Sequence, residues 1–345
     1  MLEALRERKR YLVSAWYDWL FFLAPPLWAL AVGIWISDFE PAQSSFEFWG
    51  RRETYIGIGI GIFIHAHLFI VFFRSHGNKS VFQSFPRRFV LAPILLFAAM
   101  MSHDLVLVTV SVVATFWDVY HSGAQTFGFA RIYDAKAGND PKLGRAWDFW
   151  LNQLLYAGPI VAGAVMLDHF DDFREFEDVG VTFFSKVPVW MDGHQAWLAW
   201  ILIAGGSVFL VAYLAAQVRF VRQGYEVSPQ KVFLLVSTGF CSIYTWGFNS
   251  FGEAFFVMNL FHAVQYFGLV WGMERDSMVR LFRLDNALAG KALTWVIFVV
   301  AAVAYGYFAQ AIDGSVKSLL AITLVVSIMH FWYDGFIWSV RRKQV

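Results

Sequence analysis

Ten apolar segments make up most of this 345-residue chain and constrain its fold more than any other feature. A segment exposed to lipid must satisfy its own backbone hydrogen bonds, and a helix of about 20 residues does so across a bilayer. Only 15% of the residues are charged and 58% are hydrophobic, whereas soluble domains contain about 25% charged residues. The composition therefore predicts an all-α, polytopic membrane protein formed by a single transmembrane domain, residues 1–345.

The predicted spans differ in length, and the third is short and contains Pro93. They are 15–37, 54–74, 89–102, 104–128, 147–167, 196–218, 231–249, 252–273, 291–311 and 317–339. The first span follows a basic N-terminal segment and has no evident small-residue cleavage site, so we expect a retained helix rather than a signal peptide.

Basic residues are concentrated in alternate connections between these spans. All but five of the 27 Lys and Arg residues lie in the two terminal segments and in every second connection. The exceptions are Arg51, Arg52, Arg174, Lys186 and Lys317. The positive-inside rule then places both termini in the cytoplasm and counts the third segment as a full crossing. We expect a multi-pass protein of a bacterial-type inner membrane, and the net charge of +1 gives no indication of a nucleic-acid partner.

The single cysteine, Cys241, lies within an apolar segment. An intrachain disulfide, a CxxC motif and a thiolate-rich metal site are therefore excluded. Any metal in this protein would have nitrogen and oxygen ligands, which suit iron, copper or zinc.

Four of the apolar segments contain histidine near their middle, namely His65 with His67, His121, His262 and His330. Lipid supplies neither hydrogen bonds nor a metal, so a histidine at membrane depth needs a partner within the protein. In the predicted topology all four segments run from outside to inside. At about 1.5 Å per residue, their histidines lie within about 10 Å of one another in depth. These histidines predict an intramembrane metal or cofactor site.

Three of these histidines have polar neighbours three or four residues away, on the same helical face. The neighbours are Asp118 and Gln125 for His121, Asn259, Gln265 and Tyr266 for His262, and Asp334 for His330. A histidine that binds a metal usually donates its other ring N–H to a carboxylate or amide. The alternative is a set of interhelical hydrogen bonds without a metal. One His–Asp pair alone favours that alternative. Four helices with polar faces at matching depth favour a metal or cofactor site.

His65 and His67 are two residues apart, about 200° around a helix, so one ion does not readily accept both. The sequence leaves open which of the two is the ligand. No nucleophile elbow, HExxH motif or P-loop is present, so no hydrolase or nucleotide-binding signature competes with the metal hypothesis.

Four short stretches resemble the Brp/Blh family of bacterial carotene-cleaving dioxygenases. His65-Ala-His-Leu is similar to the family's His-Gly-Ala-Leu motif, and His121-Ser-Gly resembles its His-Phe-Gly motif. Phe261-His262-Ala-Val-Gln-Tyr266-Phe resembles a motif with two histidines four residues apart, with Tyr266 at the second position. His330-Phe-Trp-Tyr-Asp334-Gly-Phe-Ile-Trp is similar to the terminal stretch. The resemblance implies a polytopic helical protein with a histidine-bound non-haem iron, and it implies His65, His121 and His262 as ligands.

The predicted function is that of an integral-membrane non-haem metal oxidoreductase or oxygenase. We expect iron, with copper or zinc as alternatives, together with O2 and an apolar, lipid-soluble substrate such as an isoprenoid or carotenoid. The predicted metal ligands are His65 or His67, His121, His262 and His330. Tyr266, Asp118 and Asp334 are the predicted catalytic residues, and Gln125, Gln265 and Asn259 are predicted to contact the cofactor.

Two other functions remain open at this stage. One is a haem- or quinone-binding electron-transfer subunit with two histidines as axial ligands. The other is a proton-coupled transporter in which His and Asp residues form a relay. The sequence leaves the electron donor and the oligomeric state open.

Overall fold

The computed structural model describes residues 10–37, 39–162, 194–247, 254–312 and 316–338, and these ranges are helical apart from one β-hairpin. The first elements are α1 (Ala15–Asp18), a π-helical turn (Trp19–Leu23), α2 (Pro25–Ser37), α3 (Glu40–Gln43), β1 (Ser45–Phe48) and β2 (Arg51–Thr54). Next come α4 (Tyr55–Phe69), α5 (Val71–Ser75), α6 (Lys79–Ser84), α7 (Pro86–Ser102), α8 (Asp104–Lys136) and α9 (Arg145–Ala162). The last are α10 (Gln195–Arg222), α11 (Pro229–Gly247), α12 (Ala254–Leu281), α13 (Gly290–Ala311) and α14 (Lys317–Ile337).

Five helical stretches are long and apolar enough to cross a membrane. They are Tyr55–Ser75, Asp104–Lys136, Ala196–Arg222, Gly290–Ala311 and Lys317–Ile337. The bent pair Ala15–Leu23 and Pro25–Ser37, with an angle of 49°, makes a sixth if it is counted as one span. The all-α prediction is confirmed, and these helices indicate a membrane protein.

The other four predicted spans also fall on helices, namely α7, α9, α11 and α12. Helix α7 has 17 residues and contains Pro93, so it is short for a bilayer crossing. Parts of the predicted spans 147–167, 231–249, 252–273 and 317–339 lie outside the described residues. Ten crossings and cytoplasmic termini stay predictions.

The bend in the first span follows from its sequence. Pro25 and Pro26 have no backbone N–H, so the hydrogen-bond ladder of a helix cannot continue through them. The chain instead forms the π-helical turn, which closes with a bond from the Ala24 N–H to the Trp19 carbonyl. Helix α2 then begins at Pro25 in a new direction, as expected for a proline-induced break.

The chain divides into two compact units. Unit 1 contains the chain up to Ile34 and Val119–His262, and unit 2 contains Trp35–Asp118 and the chain from Ala263 onward. We describe each unit by itself. The single domain expected from the sequence stays a prediction.

Unit 1 is built around α9, which packs against α10 and α11. Its core joins Tyr156 and Ile160 of α9 to Cys241 of α11 and Phe261 of α12. At Gly239 of α11, an added Cβ would lie in contact with the Leu155 side chain. The cysteine is buried in this core, as expected from its apolar segment.

Unit 1 also encloses a cluster that contains four charged side chains, Arg131, Asp134, Asp148 and Lys231. Arg131 donates to Asp134 at 2.6 Å and also to Asp148, and Lys231 Nζ donates to Asp148 at 2.7 Å. The Tyr225 hydroxyl donates to Asp134. Burial, together with that hydrogen bond, raises the pKa of Tyr225 above its ordinary value, so this hydroxyl keeps its proton. The two cations balance the two anions, and this balance makes their burial tolerable.

Unit 2 is built around α4, which packs along α13, while α14 packs against α7, α4 and α5. The close approach of α4 and α13 depends on Gly306, where a Cβ would clash with the carbonyl oxygen of Ile62. Small residues allow such backbone contacts between membrane helices. This contact holds α4, and the histidines it carries, in place.

The β-hairpin was not expected from the sequence. Its turn residues, Trp49 and Gly50, have φ of 50° and 78°, the left-handed values of a type I′ hairpin turn. The Trp49 Nε1–H donates to the Tyr307 hydroxyl at 3.2 Å, and the Phe46 ring stacks on Tyr55. The hairpin thereby attaches to the ends of α4 and α13.

Replacing Gly306 by Ala should destabilise the protein by about 1–3 kcal/mol, because the added methyl group would push α13 away from α4. The matched control is Gly59→Ala on α4, where no atom lies within 4 Å of an added Cβ. We expect that control to be neutral or slightly stabilising. The free energy of unfolding in mixed detergent measures both, and equal effects would contradict the packing assignment.

Replacing Lys231 by Met should cost about 3–5 kcal/mol, since it leaves two buried carboxylates with Arg131 as their remaining cation. Lys142→Met, at an exposed lysine of the same unit, should change stability by less than about 0.5 kcal/mol. Thermal unfolding followed by tryptophan fluorescence compares the two variants. An unchanged midpoint in Lys231→Met would show that the charge cluster contributes nothing.

Candidate metal site

Unit 2 brings His67 of α4 against His330 of α14. Both side chains have no exposed surface, and their ring centroids are 5.1 Å apart with the planes at 89°. Two imidazoles that bind one ion through bonds of about 2.1 Å, at angles between 90° and 109°, have centroids about 4.6–5.3 Å apart. The spacing and orientation of this pair therefore fit two neighbouring ligands of one metal.

His65 has a different environment from His67. Its Nδ1 bonds to the Gly61 carbonyl of the preceding turn at 2.7 Å, and its side chain is only partly buried. The two histidines face different sides of α4, as their spacing requires. Within unit 2, His67 is the histidine whose ring lies against His330. Metal binding by either histidine stays a prediction.

A buried tyrosine and a carboxylate complete this side of unit 2. The Tyr266 ring lies 4.5 Å from the His330 ring, and its hydroxyl donates to Asp334 Oδ1 at 2.7 Å. The Trp338 Nε1–H donates to the same oxygen at 2.9 Å. The sequence reasoning placed Asp334 one turn from His330 but missed Trp338. The signal was present, because His330, Asp334 and Trp338 follow one another at a spacing of four residues.

An arginine fixes the end of α14 that carries Trp338. The Arg74 guanidinium lies 3.9 Å from the centroid of the Trp338 ring, and its Nη2 donates to the Ile337 carbonyl at 2.8 Å. Arg74 also forms a buried ion pair with Glu274, which accepts a further bond from Asn78 at 2.8 Å. This network fixes the tryptophan that donates to the carboxylate.

Unit 1 contains a second histidine pair, His121 of α8 and His262 of α12. His121 is 5% exposed and His262 has no exposed surface. Their ring centroids are also 5.1 Å apart, with the planes at 85°. The Gln125 Nε2 donates to the main-chain carbonyl of His262 at 3.1 Å, and its predicted contact with a cofactor stays a prediction. That bond fixes the α8 and α12 backbones beside the pair.

The remaining predicted site residues lie on the same helices. Asp118 is partly buried on α8, and Asn259 and Gln265 are buried on α12. Their burial is compatible with roles beside the histidines, and those roles stay predictions.

The ligand atoms of these groups are close enough for a metal. Among the described residues, groups of His and Asp side chains have potential ligand atoms within 4.8 Å of one another. Within unit 2 this holds for His67 with His330 and for His330 with Asp334. Histidine groups in this protein can therefore hold a metal ion, and the donor atoms are nitrogen and oxygen.

Tyr266→Phe and Trp338→Phe should each cost about 1–2 kcal/mol, because each removes one donor from Asp334 Oδ1. The double variant should cost more than the sum, since the carboxylate oxygen then loses both of these donors inside the protein. A double-mutant cycle on the free energy of unfolding measures the coupling. Strictly additive costs would contradict a shared acceptor.

Comparison with protein-family models, with curated proteins and with solved structures finds no match for this chain. The resemblance to the Brp/Blh family therefore stays a prediction. The candidate site rests on its own geometry and chemistry.

Proposed function

We propose that this chain is an integral-membrane, non-haem metal oxidoreductase that uses iron and O2 on an apolar, lipid-soluble substrate such as an isoprenoid or carotenoid. The observation that carries the proposal is the pairing of buried imidazoles from different helices. Each pair has a centroid separation of 5.1 Å and nearly perpendicular rings. An ordinary contact between aromatic rings also allows this spacing. The proposal therefore also depends on the type of donor atoms beside the pairs.

The donor set fits iron. Imidazole nitrogens with a carboxylate are typical ligands of non-haem iron, and such sites keep positions open for O2 and substrate. Iron bound there would supply one-electron and O2 chemistry. The only cysteine lies in the apolar core of unit 1, which argues against a thiolate-bound centre. Copper and zinc share the same ligands and are the alternative metals.

The side chains around His330 have separate roles in this proposal. His67 and His330 bind the ion, and their burial excludes water from it. The Tyr266 hydroxyl donates a hydrogen bond to Asp334, and the Tyr266 ring packs against the His330 ring. Its hydroxyl is thus held in a fixed position beside the reacting centre.

The membrane setting suits the proposed substrate. Helices α10 and α13 expose large apolar side chains, including Trp197, Ile201, Val208, Val296 and Val300. An apolar substrate would reach the protein sideways from lipid. We extend the proposal to ten crossings, cytoplasmic termini and a bacterial-type inner membrane, as the distribution of Lys and Arg predicts.

The spacing within each pair argues against a bis-histidine haem. Two axial ligands on opposite faces of one iron have ring centroids about 6.4 Å apart, whereas each pair here has 5.1 Å. Quinone binding and proton-coupled transport are alternatives that require no bound metal.

The test is elemental analysis with an optical spectrum of protein purified in mild detergent. We expect near-stoichiometric iron without a Soret band, and loss of the metal when His67, His121, His262 and His330 are all replaced by Ala. The control is His194→Ala, at an exposed histidine, which should retain the metal.

Two results would overturn the proposal. A Soret band would indicate a cytochrome instead. Absence of both metal and chromophore, even after anaerobic loading with iron, would exclude a metalloenzyme and leave quinone binding or transport.

A further inference from the structure

Helix α7 carries two arginines in its first turn, Arg87 and Arg88, and both residues are exposed. Among the described residues, no carboxylate forms an ion pair with either of them. We propose that these two arginines bind the phosphate of an anionic phospholipid whose acyl chain lies along α7. The inference goes beyond the proposed function, because it assigns a lipid site to unit 2 and requires no bound metal.

Three aromatic rings hold the Arg88 guanidinium at the surface of unit 2. Its Cζ lies 4.9 Å from the centroid of the Phe336 ring, 5.4 Å from that of Phe85 and 5.9 Å from that of Trp332. The Phe336 ring packs edge-on against both Phe85 and Trp332, at centroid distances of 4.8 and 5.5 Å. An arginine stacked on aromatic rings is partly ordered before a ligand binds, and its planar fork of N–H donors matches the oxygens of a phosphate.

An apolar stripe begins one turn after the arginines. It consists of Leu91, Ile94 and Leu95, each more than half exposed. Spacings of three and four residues place the stripe on the side of α7 that carries the arginines. Between Arg88 and Leu95 the helix rises about 10 Å, whereas the hydrocarbon of one leaflet is about 15 Å thick. A phosphate bound at the arginines would therefore place the acyl chain of the same lipid against this stripe.

Charge complementarity selects the headgroup. The two arginines bring two positive charges to the edge of an apolar helix face. A zwitterionic headgroup adds a cation beside its phosphate and gains little from them, whereas an anionic headgroup carries a net negative charge. The distribution of Lys and Arg also predicts that this end of α7 faces the cytoplasm, where the leaflet surface is anionic.

The experiment compares two lipids with identical dioctanoyl chains, phosphatidylglycerol and phosphatidylcholine, added to the full-length protein in mild detergent. Native mass spectrometry counts the bound lipids and gives their dissociation constants. We expect the wild type to bind phosphatidylglycerol about 5-fold more tightly than phosphatidylcholine, or tighter still. Arg87→Gln and Arg88→Gln should each weaken phosphatidylglycerol binding about 5-fold, and the double variant about 25-fold. Millimolar inorganic phosphate should not displace the lipid, because it has no acyl chain.

The matched control is Arg280→Gln, which removes an exposed arginine of the same unit. The Arg280 guanidinium donates to the Ser277 hydroxyl at 3.3 Å, and this variant should bind phosphatidylglycerol as the wild type does. Arg88→Lys keeps the charge without the planar fork, so it should weaken binding less than Arg88→Gln. Phe336→Leu removes the nearest ring and should weaken binding about 2- to 5-fold.

Thermal unfolding adds a second readout. Without lipid, the variants at Arg87 and Arg88 should unfold at the wild-type midpoint, because both residues are exposed. Phosphatidylglycerol should raise the midpoint of the wild type and of Arg280→Gln, and it should raise that of the double arginine variant much less.

Three results would overturn the inference. They are equal affinity of the wild type for the two lipids, full phosphatidylglycerol affinity in the double arginine variant, and displacement of the lipid by inorganic phosphate, which would indicate a site for free anions. These results do not depend on metal content. A protein that binds the lipid at the arginines but contains no iron would retain this inference and lose the proposed function.

Discussion

Polar side chains buried among apolar helices cost free energy unless a neighbouring group compensates them, and both units of this protein depend on that compensation. In unit 1, the charges of Arg131 and Lys231 balance those of Asp134 and Asp148 within one buried cluster. In unit 2, the buried ion pair of Arg74 and Glu274 meets the same requirement. Replacing one member of such a set leaves the charge of another member uncompensated in the apolar interior. These groups therefore also specify which helices pack together.

The histidines meet this constraint differently, because a neutral imidazole carries no charge to balance. It has a donor on one nitrogen and an acceptor on the other, and it packs against another ring in an edge-to-face arrangement. In each unit this arrangement joins two histidines, His67 with His330 and His121 with His262. In unit 2, a ring nitrogen of His67 also lies within 4.8 Å of a ring nitrogen of His330.

Asp334 makes the two pairs chemically unlike. Its carboxylate accepts bonds from Tyr266 and Trp338, and it lies near the His330 imidazole. A carboxylate oxygen is a harder donor than an imidazole nitrogen, so the two pairs differ in the cations that they favour. The neighbouring phenol remains a proton donor whose direction is set by the carboxylate.

Composition and the spacing of apolar residues by themselves determined that the protein is helical and has helices long and apolar enough to cross a membrane, because a bilayer accepts few other structures. The spacing of polar residues on helical faces also determined which side chains belong together locally, such as His330 with Asp334. Tertiary structure alone decided that His67 rather than His65 meets His330, that Trp338 shares an oxygen with Tyr266, and that a hairpin forms at 45–54. These contacts depend on how helices that are distant in sequence are rotated and cross one another. The local spacing of residues does not encode this relative placement of the helices.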